Sequence, residues 1–245
     1  QMCIRDRSWT VMEALERYGG ITWFRLGDRD LATHLYRTQR LCEGADLATV
    51  TAEIARAWDV AVKLLPVTND RLRTMVTIVD EGEVSFQDYF VRRRHAVAVR
   101  SVRFDGEGSA RAAPGVLEAL ADAAVVVIAP SNPIVSIGPL LAVSGIRSTV
   151  AARRDRNVAV SPIVAGQALK GPADRLLAEL GHEPSALGIA RLYRELAATL
   201  VIDEADRDLA DAIEAEGVRC IVAPTVMHTP EVATALARTV LDAAT

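Results

Sequence analysis

Val125-Val126-Val127-Ile128-Ala129 is an unbroken run of apolar, mostly β-branched residues, followed at once by Pro130-Ser131-Asn132-Pro133. A strand with one wet face alternates apolar and polar side chains. A continuous run is what a strand buried on both faces of a parallel sheet needs. Similar runs recur at Val158-Ala159-Val160, Leu200-Val201-Ile202 and Cys220-Ile221-Val222-Ala223. Helical periodicity fills the intervals at 140–152, 173–180, 185–196, 206–216 and 230–244. Gly181 and Gly217 stand at helix ends, Ser185 at an N-cap and Pro230 at a helix start. Strands alternating with helices predict a Rossmann-like parallel sheet flanked by helices, an α/β fold.

Upstream the rhythm changes. Helices are predicted at 10–18, 31–41 and 47–58. Extended stretches follow at 73–79, 84–91 and 96–104, and Asp80-Glu81-Gly82 between the first two is a hairpin signal. The reading is one α/β domain over 9–245, with a helical and β-hairpin region at 9–105 and the Rossmann-like half at 106–245. Residues 1–8 show neither periodicity and are expected to be an artefact or disordered.

The 245 residues are 50% hydrophobic and 24% charged, with only 4% aromatic, so Ala, Val, Leu and Ile must build the core. A net charge of −4 and a pI of about 5.7 argue against a nucleic-acid partner. No run of 18 apolar residues is present, so no membrane partner is expected. Three cysteines without a C-x-x-C pair suggest neither a disulfide framework nor zinc, and point to a reducing cytoplasm. The four histidines lack metal-ligand spacing, and G-x-G-x-x-G, P-loop, G-x-S-x-G and H-E-x-x-H motifs are all missing.

In open parallel sheets, ligands bind beyond the carboxyl ends of the strands. Three such tips are polar: 130–139 with Ser131, Asn132 and Ser136, 161–166 with Ser161, and 224–228. Hydroxyls and bare N–H groups suit an anion such as phosphate, and the same residue types also make ordinary turns and caps. In Arg25-Leu26-Gly27-Asp28-Arg29-Asp30, Asp28 is a candidate Mg²⁺ ligand or general base and Arg25 a candidate anion contact. Asp28 and Asp30 also read as turn and N-cap residues. Arg92-Arg93-Arg94 beside Phe86, Tyr89 and Phe90 is a phosphate clamp or a charged edge strand. Leu65-Pro66-Val67-Thr68-Asn69-Asp70 is a ligand loop or an Asx-type turn.

These segments together resemble the CofD-like transferases of deazaflavin coenzyme (F-420) biosynthesis, the 2-phospho-L-lactate and phosphoenolpyruvate transferases. The resemblance is carried by Arg25 through His34, Leu65 through Asp70, Phe86 through Arg94, the string Pro130-Ser-Asn-Pro-Ile-Val-Ser-Ile-Gly-Pro139, Ser161 through Val164 with Gly171-Pro172, and Val201-Ile-Asp203. The Arg- and Ala-rich character favours the actinobacterial branch. The resemblance implies transfer of a phospho-enolpyruvyl or phospho-lactyl group from a guanosine diphosphate-linked donor to the deazaflavin Fo. GMP leaves, Mg²⁺ is the cofactor, and the enzyme is a homodimer. It implies Asp28 as the catalytic and metal-binding residue, Arg25, Asp30 and Asp70 as substrate contacts, and Ser131, Asn132, Ser136 and Ser161 around the nucleotide. Phosphoryl-type transfer needs positioning and charge neutralisation, so a missing Ser/His/Asp or Cys nucleophile is in keeping.

The chain departs from the family's pattern. The Gly-rich opening strand and turn and a second acidic motif are missing, so an N-terminal strand is expected to be absent and the chain as written inactive and poorly soluble. Val67-Thr68-Asn69-Asp70 replaces a more usual Met-Ser-Asp-Asp, and Ser144 stands where Pro commonly precedes Gly145. Two other functions stay open: a non-catalytic nucleotide-binding regulator on the same scaffold, and RNA binding through Arg92 to Arg94, against which the acidic pI counts.

Overall fold

The structure is a computed structural model and describes residues 8–244. The expected artefact at 1–8 therefore lies, Ser8 apart, outside the described residues. The chain runs α1 (Thr10–Arg17), α2 (Asp28–Cys42), α3 (Leu47–Ala57), β1 (Arg73–Ile78), β2 (Gly82–Ser85), β3 (Val99–Asp105), α4 (Val116–Asp122), β4 (Val126–Ile128), α5 (Gly138–Ala142), α6 (Ile146–Ala151) and β5 (Asn157–Val160). It continues with β6 (Ile163–Val164), β7 (Gln167–Ala168), α7 (Ala173–Glu179), α8 (Ala186–Tyr193), β8 (Thr199–Ile202), α9 (Ala210–Ala215), β9 (Arg219–Val222) and α10 (Pro230–Asp242).

Strands β4, β5, β8 and β9 form a parallel sheet in the order β4-β5-β8-β9, registered by Val127 opposite Val158, Ala159 opposite Leu200 and Val201 opposite Ile221. The two central strands are buried at every position. Their alternation divides the core. Val158, Val160 and Val201 face Leu236 and Val240 of α10. Ala159, Leu200 and Ile202 face the other way, into the cluster holding Ile146, Val150, Ile189 and Ile213. β4 is different: it lies at the sheet's edge, and Val127 is 44% exposed. Its unbroken apolar run thus does not bring burial on both faces.

β1, β2 and β3 form a separate antiparallel sheet in the order β2-β1-β3. The extended stretch expected at 84–91 ends at Ser85, and Asp88–Arg92 is a π-helical turn. A strand would send Tyr89 and Phe90 to opposite faces. The helical turn lets Tyr89 enter the core beside Val76, Ile78, Val99 and Leu176 while Phe90 stacks on Phe86 at 5.3 Å. The helix expected at 140–152 is broken into α5 and α6. Gly145 sits at φ +84° between them, a left-handed conformation open to glycine at no steric cost. The helix expected at 206–216 opens with a 3₁₀ turn, Glu204–Leu209, before α9.

Among the described residues α1, α2 and α3 bury fully only Met12 and Val50. Tyr18, Ile21, Leu35 and Trp58 in the same region are each more than half exposed.

Candidate functional site

A cavity of about 1080 Å³ opens beyond the carboxyl ends of the parallel strands. The chain after β4 supplies Ser131, Asn132 and Ser136, the chain after β5 supplies Ser161, and the chain after β9 supplies Thr225, Met227 and His228. The loop before α7 brings Lys170, and the stacked pair Phe86 and Phe90 forms an aromatic wall. The three polar tips that the sequence placed on one sheet edge therefore do converge.

The hydroxyls differ in what they are free to do. Ser161 Oγ donates to Ile163 O at 2.9 Å and accepts from Ile163 N–H at 3.2 Å, so it shapes its own turn. Asn132 Oδ1 accepts from the N–H groups of Ile134 and Val135 at 2.9 and 3.2 Å, capping the π-helical turn Pro133–Ile137. Its amide NH₂ points to no partner among the described residues. The Ser131 and Ser136 hydroxyls likewise take no partner there. With Lys170 nearby and no carboxylate on the lining, the cavity suits an anion.

Asp203 supports one wall from behind. At the end of β8 its Oδ2 accepts from Thr225 N–H at 2.8 Å and Thr225 Oγ1 at 3.0 Å, and its Oδ1 accepts from Ala205 N–H at 3.1 Å. Burial pushes its carboxyl up, but these donors win and hold it below the ordinary carboxylate range. Asp206 is the reverse case: burial raises its carboxyl, although both oxygens accept from Ala165 N–H at 3.1 Å. Cys220, on β9, is no candidate nucleophile, since burial pushes its thiol up to about 11.

The remaining candidates lie off this lining. Asp28 stands at the first turn of α2, three residues earlier than the expected helix start. Its carboxylate accepts from Ser8 Oγ, from Thr10 N–H at 3.2 Å and from Val11 N–H at 3.1 Å, so it caps the start of α1. Those donors, Ser8 first, hold it below the ordinary range. Among the described residues no group of three His, Cys, Asp or Glu side chains is placed to hold a metal ion. Both Asp28 oxygens take part in that cap, whereas Mg²⁺ asks for only one or two carboxylates beside phosphate and water oxygens. Arg25 is exposed, its guanidinium 5.6 Å from the Trp9 ring centroid. Asp30 lies in the first turn of α2, partly buried. Asp70 Oδ2 accepts from Arg111 N–H at 2.8 Å, and Asn69 links Ala48 N–H to the Asp46 cap of α3, so this loop ties α3 to the residue-111 segment. Arg93 is paired with both Asp88 and Glu81, and Arg92 with Asp88, while Arg94 forms no ion pair among the described residues.

A family model described as 2-phospho-L-lactate transferase CofD matches residues 3–235. The chain belongs to the CofD family. Its curated relatives include a phosphoenolpyruvate transferase of Kitasatospora aureofaciens, 43% identical over 96% of this chain and 75% of that protein. A second is the phosphoenolpyruvate transferase of Mycobacterium ulcerans, 42% identical over 98% and 75%. Among solved structures, protein BH3568 of Bacillus halodurans superimposes with a TM-score of 0.61 at 18% identity, over 84% of this chain and 70% of that one, a likeness of fold. This CofD-family chain is thus a transferase on an α/β scaffold, with no helix among its described residues long and apolar enough to cross a membrane.

Lys170 is the site residue that sequence reading passes over. It lies in a loop without periodicity, but it is one of only two lysines among 28 basic residues, a rarity that could have marked it.

Proposed function

We propose that this CofD-family member transfers a phospho-enolpyruvyl group, with phospho-lactyl as the close variant, from a guanosine diphosphate-linked donor to a ribityl hydroxyl of Fo in coenzyme F-420 biosynthesis. The hydroxyl oxygen bonds to the phosphorus that carries the enolpyruvyl group. The bond from that phosphorus to the bridging oxygen breaks, GMP leaves, and the hydroxyl proton passes to solvent. One observation carries the reading: a carboxylate-free cavity at the carboxyl edge of the sheet presents the Ser131 and Ser136 hydroxyls and Lys170 toward an anion. Such groups position a diphosphate and offset its charge, which is most of what phosphoryl-type transfer asks of a protein. The relatives' names favour enolpyruvyl over lactyl. The enzyme would work in the cytoplasm as a homodimer.

The capping role of Asp28 favours a second reading, a regulator that binds the nucleotide without transfer. One experiment separates the two. GDP and each guanosine diphosphate-linked donor are titrated calorimetrically, then each donor is incubated with Fo and Mg²⁺ and the products weighed by mass spectrometry. A Fo phosphodiester with GMP release supports the transferase, and donor binding without product supports the regulator. No binding of GDP or donor removes both.

A further inference from the structure

A second groove, of about 500 Å³, lies behind the nucleotide cavity, between β3, α5 and the ends of α7 and α8. Arg100, Arg147 and His182 stand on its walls, and Phe104 and Leu192 give it an apolar body. Neither arginine side chain forms an ion pair or hydrogen bond among the described residues, whereas Arg103, three residues along β3, pairs with Glu83 and Asp105. Glu179 also lines the groove, but its carboxylate is held by Arg175 Nε at 3.0 Å and Val99 N–H at 2.9 Å. Tyr193 completes the lining at 3% exposure, and its hydroxyl finds no partner among the described residues. A buried hydroxyl without a partner is costly, and a polar ligand atom at this point would relieve that cost.

The two cavities share a wall. Pro130, Ser131, Asn132, Val135 and Ser136 face the nucleotide cavity, while Pro133, Ile134 and Gly138 of the same segment face the groove. Gly138 admits no side chain there: a Cβ would lie 2.9 Å from the Phe104 ring and 3.3 Å from Pro133 O. The wall is therefore close-packed, and a ligand on one side bears on residues that present the hydroxyls on the other.

We infer that this groove is a second, regulatory anion site, taking a small molecule that carries a phosphate monoester or carboxylate on an apolar body. Arg100 and Arg147 pair with the anion, Phe104 and Leu192 hold the apolar body, and occupancy alters nucleotide affinity through segment 130–138. The inference rests on the proposed nucleotide site in the first cavity, not on which group the enzyme transfers.

Phenyl phosphate is the probe. Calorimetry on the whole chain should show one saturable site that persists when GDP saturates the nucleotide cavity, with GDP affinity shifted when the probe is bound. Because thermodynamic coupling is reciprocal, GDP must shift phenyl phosphate affinity by the same factor. Arg147→Ala and Arg100→Ala, both at exposed positions, should each weaken the probe about tenfold while GDP binding without probe is unchanged. The inference is overturned if no saturable binding occurs, if GDP displaces the probe competitively, or if both variants bind it as the parent does. Tyr193→Phe checks the floor: it should weaken the probe and leave the fold cooperative. Unchanged affinity would remove Tyr193 from the site.

Discussion

Asp203 holds Thr225 through one carboxylate oxygen, Oδ2, which accepts from the Thr225 backbone N–H at 2.8 Å and from its hydroxyl at 3.0 Å. The bonds span the ends of neighbouring strands β8 and β9, so they fix the angle at which the 224–228 tip enters the cavity. Replacing Asp203 with Asn keeps the shape but weakens the acceptor and sets an NH₂ near donors. The variant should lose about 1–3 kcal/mol of stability in urea unfolding and bind GDP more weakly. Because the folded-state carboxyl is held low, its contribution is present above the unfolded carboxylate range and is lost as pH falls. Asp203→Asn should therefore flatten the acid limb of the stability curve, and an unchanged limb would count against this role.

Ser131, Ser136 and Lys170 are cavity side chains with no partner among the described residues. Each of Ser131→Ala, Ser136→Ala and Lys170→Met should raise the Kd for GDP about tenfold, and Lys170→Met should also reduce its salt dependence. Ser161→Ala should act differently, because its hydroxyl closes a local turn. Its loss should appear in thermal unfolding before it appears in GDP binding.

Asp28 offers a sharp test between catalysis and architecture. If its role is the cap described here, Asp28→Ala should lower helical circular dichroism and loosen α1 without changing GDP affinity. A variant with an unaltered spectrum and abolished turnover would place Asp28 in the reaction itself.

Between α2 and α3, Glu53 accepts from Arg40 through both oxygens at 2.9 and 3.0 Å, and from Tyr36 Oη at 2.9 Å. Arg40 first, then Tyr36, hold its carboxyl down to about 2 from an ordinary value of 4.5. The pair's contribution is complete above about 4.5 and disappears as pH falls through 2. Near-ultraviolet titration of Trp58, which shares a groove with Tyr36 and Glu53, should report this change in the parent and not in Glu53→Gln.

Much of this was legible in the chain. Double-sided burial of β5 and β8 is written in Val158-Ala159-Val160 and Leu200-Val201-Ile202, and the polar tips after the strands meet where such sheets bind ligands. What was hidden depends on tertiary packing. Nothing in 84–91 reports that Tyr89 will be drawn into a core shared with Leu176, which turns an alternating pattern into a helical turn. Nothing local to Asp28 says that a helix start eighteen residues upstream will claim its carboxylate. Lys170 lacks any pattern, and its position is set by where β7 and α7 leave their loop.

The thin packing under α1, α2 and α3 has a consequence for motion. Stability is not spread evenly: a layer that buries little more than Met12 and Val50 opens at a lower free energy than the sheet behind it. Its amides will exchange through partial openings, while those of β5 and β8 wait for global unfolding. The molecule has a labile shell carrying Arg25 and Asp28 and a slow-exchanging sheet whose strand tips hold the anion cavity. Arg25 and Asp28 thus belong to a cooperative unit of shorter lifetime than the cavity at the strand tips.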